Sequence, residues 1–258
     1  MLEEINLHER DKDISFKEEG HIYNVKGDTK YTSVTTLVHR LFPYFNENLI
    51  IDKMMKSPNW ENNKYYGSTK EEIKNLWAIN RIEAATLGTN LHKYIEDKYN
   101  QVEFSEKQKK TCETNIEYSY FNTFYEEHKD MTPYRTEWMV YDEEYKLSGS
   151  IDMTYINEDG TISIYDWKRC KKIEKDNKYN KFAKYPNMDL DDTNYIHYSI
   201  QLNIYKYILE KNYGKTIKDM YLICLHPENE NKSYIKEEVF DMTPKINEIL
   251  EQHKNKLK

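Results

Sequence analysis

Gly149-Ser150-Ile151-Asp152 and, beyond a tight turn, Ile164-Tyr165-Asp166-Trp167-Lys168 are the stretches whose reading decides the fold. Lys146 to Ile156 and Thr161 to Trp167 read as strands, and Asn157-Glu158-Asp159-Gly160 between them has hairpin-turn chemistry. Such a hairpin sets Asp152 roughly opposite Asp166 and brings Lys168 to the same face two residues on. Two carboxylates that close repel each other, and a hard divalent cation such as Mg²⁺ or Mn²⁺ between them relieves the repulsion. A neighbouring lysine suits the orientation of an attacking water or the stabilisation of developing negative charge. The competing reading is a surface hairpin with cross-strand charge pairs.

Working outward, His21 to Val25 and Lys30 to Ser33 flank Gly27-Asp28 and predict a short N-terminal hairpin. Ser33 or Thr35 suits the N-cap of a helix that stops at Pro43, and a second short helix spans Asn46 to Lys56. Glu71 to about Thr86 has helical periodicity; Gly88-Thr89 is expected to interrupt it, with Asn90 to Tyr99 resuming. Glu106 to His128 reads as one long helix. Arg135 to Tyr141 joins the two hairpin strands in an expected antiparallel meander. A polar, basic, tyrosine-bearing stretch from Arg169 to Asn194 has no clear periodicity and is long for a plain loop, which points to a functional element. Ile196 to Tyr213 reads as a helix, Asp219 to His226 and Ser233 to Phe240 as strands, and Pro244 to Leu257 as a terminal helix.

The 258 residues suffice for one substantial α/β core, and 24 tyrosines among 14% aromatics argue against disorder. The richness in Lys, Asn, Ile and Tyr suggests an AT-rich coding genome. A net charge of −7 excludes a generally basic nucleic-acid coat protein, yet Lys168 to Lys184 holds eight basic residues against Glu174 and Asp176, a local net of +6. Such a patch on an acidic protein can direct a polyanion to one place, although a solvated charged face is the simpler reading of a charge run alone. Cys112, Cys170 and Cys224 match no zinc spacing and are too few for an all-cysteine iron–sulfur cluster. Reduced thiols, an acidic start unlike a signal segment and the lack of a membrane-length apolar run lead us to expect a soluble, intracellular protein.

Four further features bear on the hairpin. Leu87-Gly88-Thr89-Asn90-Leu91-His92 places His92 at a helix start with Glu96 one turn later. Glu137 lies in the preceding strand within Arg135-Thr136-Glu137-Trp138. Gln201 and Tyr205 stand i, i+4 in Tyr198-Ser199-Ile200-Gln201-Leu202-Asn203-Ile204-Tyr205. The basic segment leaves the Asp-Trp-Lys strand directly. Singly each has an ordinary structural explanation. In order, Gly-Thr-x-x-His, a strand Glu, Gly-x-x-Asp, Asp-x-Lys and Gln-x-x-x-Tyr resemble the PD-(D/E)XK nuclease superfamily. The pattern looks most like the RecB-type exonuclease branch, which includes Cas4-like proteins, the mitochondrial genome maintenance exonuclease and nucleases of large DNA viruses and phages.

The resemblance implies an α/β, restriction-endonuclease-like core with a central mixed sheet flanked by helices. It would form a single domain, with an N-terminal hairpin and helical portion over 1–86, a catalytic core over 87–243 and a C-terminal helix over 244–258. It implies that Asp152 and Asp166 ligate the catalytic metal, Mg²⁺ or Mn²⁺, with His92 and the Trp167 carbonyl as further ligands. Glu137 would serve a second metal or its waters, Lys168 would hold or help deprotonate the attacking water, and Gln201 and Tyr205 would brace metal waters and scissile phosphate. Glu96 would support them. In the related exonucleases a helical arch admits a single strand; the insert over 169–195 is its counterpart by position. Arg169, Lys171, Lys172, Lys175, Lys178, Lys181 and Lys184 would track phosphates there, while Tyr179, Phe182 and Tyr185 stack on bases. The expectation is thus a DNA exonuclease on single-stranded ends or flaps, in replication, recombination or repair, with partners from those systems and no membrane. The alternatives are a structure-specific or RNA endonuclease and a degenerate nuclease fold that binds DNA without cutting it. Iron–sulfur-bearing relatives carry four cysteines, which this chain lacks, so no cluster is expected; Ile151 also stands where the family name has proline.

Overall fold

Apolar residues recur along the chain at spacings that build one sheet between two helical layers. The computed structural model describes residues 1–184 and 189–257. A one-turn helix, α1 (Leu2–Ile5), precedes a small hairpin of β1 (Ile14–Lys17) and β2 (Ile22–Val25). A two-residue strand, β3 (Thr32–Ser33), leads into α2 (Val34–Leu41), and Ser33 accepts from the Thr36 amide at 3.1 Å as its N-cap. Next come α3 (Glu47–Met55), the long α4 (Lys70–Tyr99), α5 (Glu106–Thr114) and α6 (Ile116–Glu127). The meander of β4 (Thr132–Asp142), β5 (Leu147–Ile156) and β6 (Ile162–Lys168) is present as expected. After the insert come α7 (Asn194–Asn212), β7 (Ile217–Cys224), β8 (Ile235–Glu238) and α8 (Thr243–Asn255).

Three boundaries differ from expectation. Thr69 and Glu72 form a reciprocal cap that starts α4, and the helix then runs unbroken through Gly88. An interior glycine costs about 1 kcal/mol, too little to break a helix whose next turns bury Leu91, Tyr94 and Ile95. The helix expected over Glu106 to His128 is instead two, parted at Asn115, which is extended at φ −113° and ψ 111°. The N-terminal hairpin forms one turn earlier than expected, because Gly20 and His21 adopt positive φ and let β1 pair with β2. Gly27 makes a second turn, closed by Val25 and Asp28, after which the chain leaves for the main sheet.

That sheet is mixed and six-stranded. Its path is β3-β5-β6-β7-β8, with β4 on the other edge of β5. On one face α2, α7 and α8 bury Val38, Leu41, Ile200, Ile204, Ile208 and Leu250 against the strands; on the other, α4 and α6 bury Leu91, Ile95, Phe121 and Phe124. This is the α/β architecture expected from the sequence.

Two irregularities in β5 give the sheet an opening. Its edge away from β4 is shared: β3 pairs with Leu147 and Ser148, whereas β6 pairs only from Met153 onward. Its side chains also change phase. Leu147 and Ile151 belong to the α7 side of the core, yet Met153 and Tyr155, at the same parity, belong to the α4 side. Opposite this switch Glu137 has φ +45°, and Thr136 and Trp138 on either side of it remain paired with Met153 and Ile151.

Candidate active site

The phase change in β5 and the left-handed residue in β4 turn acidic side chains toward α4, where they meet a histidine. Among the described residues, His92, Glu137 and Asp152 are the one group of three potential ligands whose donor atoms all lie within 4.8 Å of one another. His92 Nδ1 stands 3.6 Å from Glu137 Oε1 and 3.7 Å from Asp152 Oδ2. Its Nε2 donates to the Trp167 carbonyl at 3.0 Å. The Ser150 hydroxyl donates to Glu137 at 2.9 Å, and the Trp167 amide to Asp152 at 2.9 Å.

The second half of the site lies on β6. Lys168 Nζ pairs with Asp166 Oδ2 at 2.5 Å, and Gln201 donates to Asp166 Oδ1 at 3.2 Å. The register of β5 and β6 runs Met153 to Tyr165, which places Asp152 against Asp166 at the point where the ladder opens. The ring of Tyr205 fills that opening. A methyl group at Gly149 would come within 2.7 Å of it, so the glycine is what lets α7 approach. The mouth is a cavity of about 400 Å³ bordered by Phe16, Glu18, Gly88, His92, Glu96 and Glu137.

Burial of acids at this density shifts their protonation. Burial first, then the charge of Glu137, pushes Asp152 up despite His92 and Lys168. Burial and the Asp152 charge push Asp166 up to about 6 against the pull of Lys168. Burial works against charge on His92, but Asp152 and Glu137 outweigh it and raise the imidazole to about 9. The same contest at Lys168 is won by Asp166 and Asp152, so its ammonium holds its proton more tightly than an ordinary lysine.

A divalent cation suits this donor set. Two carboxylates and an imidazole nitrogen converge, and the other ring nitrogen of His92 donates to a backbone carbonyl, the arrangement that orients metal-ligating histidines. His92, Glu137 and Asp152 would hold the ion. Asp166, expected as a ligand, stands outside that group and is engaged by Lys168 and Gln201; the Trp167 carbonyl accepts from His92. Glu137, expected at a second metal, belongs to the same cluster as His92. Glu96 borders the mouth and pairs with Lys93 at 3.0 Å.

The lysines of the basic segment stay exposed, and four of them meet acids at the surface, whereas its one arginine does not. Arg169 turns inward to Glu117 at 2.9 Å, in a pair that is nearly buried. Lys171 meets Glu228, Lys175 meets Glu237, and Lys172 and Lys178 share Glu174. Lys181 lies against the ring of Tyr179, and Lys184 reaches the Arg40 carbonyl at 3.3 Å. Tyr179 is 81% exposed and Phe182 40%. Tyr185 lies outside the described residues.

Several neighbours of the site were not legible in the sequence. Phe16 and Glu18 arrive from the N-terminal hairpin, far away in the chain. Tyr23 of that hairpin is buried where the charges of Glu137 and Asp152 add to burial in raising its hydroxyl pKa. Ser150 sits between Gly149 and Asp152 on β5, where its alternation with Asp152 was the available signal. No helix among the described residues is long and apolar enough to cross a membrane.

Comparison with known proteins finds that the family model of the PD-(D/E)XK nuclease superfamily matches residues 69–257. No curated protein matches the chain. A solved structure described as "Crystal structure of SSO0001" is similar at 15% sequence identity, over 90% of this chain and 78% of that chain, with a TM-score of 0.36. A likeness that slight carries no argument.

Proposed function

The chain belongs to the PD-(D/E)XK nuclease superfamily, and from that premise we propose that it is a metal-dependent deoxyribonuclease working as an exonuclease on single-stranded or flapped DNA ends. The observation that carries this reading is the convergence of His92, Glu137 and Asp152 beside an intact Asp166–Lys168 pair, at the floor of an open cavity. A fold retained only for binding would have no use for such a costly cluster of partly buried acids.

When bound, a divalent cation supplies positive charge to the scissile phosphate and makes a neighbouring water more acidic. The protein's own groups do the rest. Lys168 stays cationic at neutral pH, so its part is to stabilise the extra negative charge of the pentavalent phosphorus rather than to remove a proton. Gln201 and Lys168 hold Asp166 in one orientation. Tyr205 closes the gap in β5 behind them and excludes water from the sheet. Mn²⁺ is favoured over Mg²⁺ as the better match to an imidazole donor among oxygens.

Substrate selection is assigned to the insert. Beside its solvent-exposed lysines, exposed Tyr179 and Phe182 are suited to engage unpaired bases by stacking. An end-labelled time course on linear, flapped and circular single strands, run in Mg²⁺ and in Mn²⁺, tests the proposal. Linear and flapped DNA should shorten from an end while circles persist. Cut circles would replace the exonuclease by an endonuclease, and loss of no substrate at all would return the fold to a DNA-binding role.

A further inference from the structure

Immediately behind Lys168 two thiols face each other. Cys224 on β7 stands in register with Lys168 on β6, and the chain beyond Lys168 turns so that Cys170 meets it, sulfur to sulfur at 3.7 Å. The Cys224 thiol donates to the Cys170 carbonyl at 2.9 Å. Cys224 is fully buried, whereas Cys170 is partly exposed and open to a small oxidant. The third cysteine, Cys112 on α5, packs against the opposite core layer.

The same turn is bound to the site. The Leu225 amide, next to Cys224, donates to the Lys168 carbonyl at 2.8 Å. The Lys168 ammonium lies 4.6 Å from the ring centre of Tyr198, and Tyr198 also helps to favour a Cys170 thiolate. The two sulfurs are moreover unlike. The close Cys224 sulfur, with help from Lys168, holds the Cys170 thiol below the usual range, while the same contact and burial push the Cys224 thiol up. One is suited to attack and the other to resolve.

We propose that Cys170 and Cys224 form a reversible disulfide site for hydroperoxides, and that the closed bond draws Lys168 out of place and silences cleavage; the second half rests on the nuclease reading. With hydrogen peroxide, the Cys170 sulfur attacks one oxygen and the O–O bond breaks. A sulfenic acid forms, and the other oxygen leaves as water with the thiol's proton. The Cys224 sulfur then attacks the sulfenic sulfur, the S–S bond forms and the S–O bond breaks. The hydroxyl leaves as a second water, carrying the Cys224 proton. Two thiols lose two electrons and one peroxide becomes two waters. Closing the pair from 3.7 Å to about 2.05 Å pulls the turn after Lys168 toward β7.

The test treats the full-length protein with hydrogen peroxide in the presence of a chelator, quenches with catalase, and then divides the sample. In one half, alkylation and intact mass should show that only one of three thiols still reacts, and peptide mapping should join Cys170 to Cys224. In the other half, added Mn²⁺ should support cleavage slowed about 10- to 100-fold, as expected when a catalytic group is misplaced by an ångström or so. Dithiothreitol should restore both thiols and rate. C170S and C224A should keep their rate after peroxide, and C112S should lose it as wild type does. Three reactive thiols after treatment, or a Cys170 oxidised to sulfinic acid with Cys224 free, would overturn the site. A closed disulfide with undiminished cleavage would overturn its control of Lys168. A reduced protein that cuts nothing would instead count against the nuclease reading, and the thiol arm would still decide the site.

Discussion

Replacing Lys168 by alanine removes the cation paired with Asp166 and leaves that buried carboxylate facing the partly buried Asp152. Cleavage by K168A should fall by about 10²- to 10³-fold, the range for loss of a preorganised charge. Binding of single-stranded DNA, read by filter retention, should stay near wild type, and retained cleavage would sink the assignment. Protonation of the same cluster gives a second test. His92 is raised from 6.5 to about 9 in the folded protein, so its favourable pairing with Asp152 and Glu137 is fully present below pH 6.5 and is lost as pH climbs through about 9. Asp166, raised from 3.8 to about 6, acts with the same sign at lower pH. Metal-free protein should therefore melt at a lower temperature at pH 9 than at pH 6.5, and H92Q should flatten that slope. Mn²⁺ affinity, measured calorimetrically, should rise over the same window as the cation ceases to compete with a proton.

At the scale of the element, Glu137 shows what a strand gives up to aim a side chain. Its φ of +45° is a left-handed conformation that glycine adopts freely and other residues at a cost of about 1 kcal/mol. E137A and E137G both remove the carboxylate and should both lose cleavage, but E137G should be the more stable by about 1 kcal/mol in urea denaturation. Equal stability would mean that the backbone relaxes when the glutamate is gone. This position also marks the border of what could be read from the sequence. The order of His92, Glu137, Asp152, Lys168 and Gln201 was legible only through its resemblance to a family's motif order; periodicity alone supplied the elements that carry them. The phase change was not. Leu147, Gly149, Ile151, Met153 and Tyr155 alternate without a flaw in sequence, yet the structure divides them between two cores. Periodicity likewise read a break at Gly88, because composition records the glycine and not the burial of Leu91 and Ile95 that outweighs it.

Across the whole molecule, the net charge of −7 and the basic insert meet in specific pairs. Lys171 and Lys175 are held by Glu228 and Glu237, so single lysine-to-alanine changes should weaken DNA binding little. Removing the acids should do more. A double E228Q/E237Q variant frees two cations, and its affinity for single strands at low salt should rise, with the slope against salt concentration steepening by about 1 to 1.5. An unchanged slope would place the DNA path away from the insert. The local charge surplus was plain in the sequence; its neutralisation was not, because the partner acids come from the loop before β8 and from β8 itself. The shared edge of β5 has one more consequence, for the order of assembly. β3 closes that edge beside the site, but its partner residues are made about 115 positions later in the chain. The N-terminal segment emerges first yet has no partner until β5 exists, so the wall beside the carboxylates is a contact of long sequence separation that closes only across most of the chain's first half.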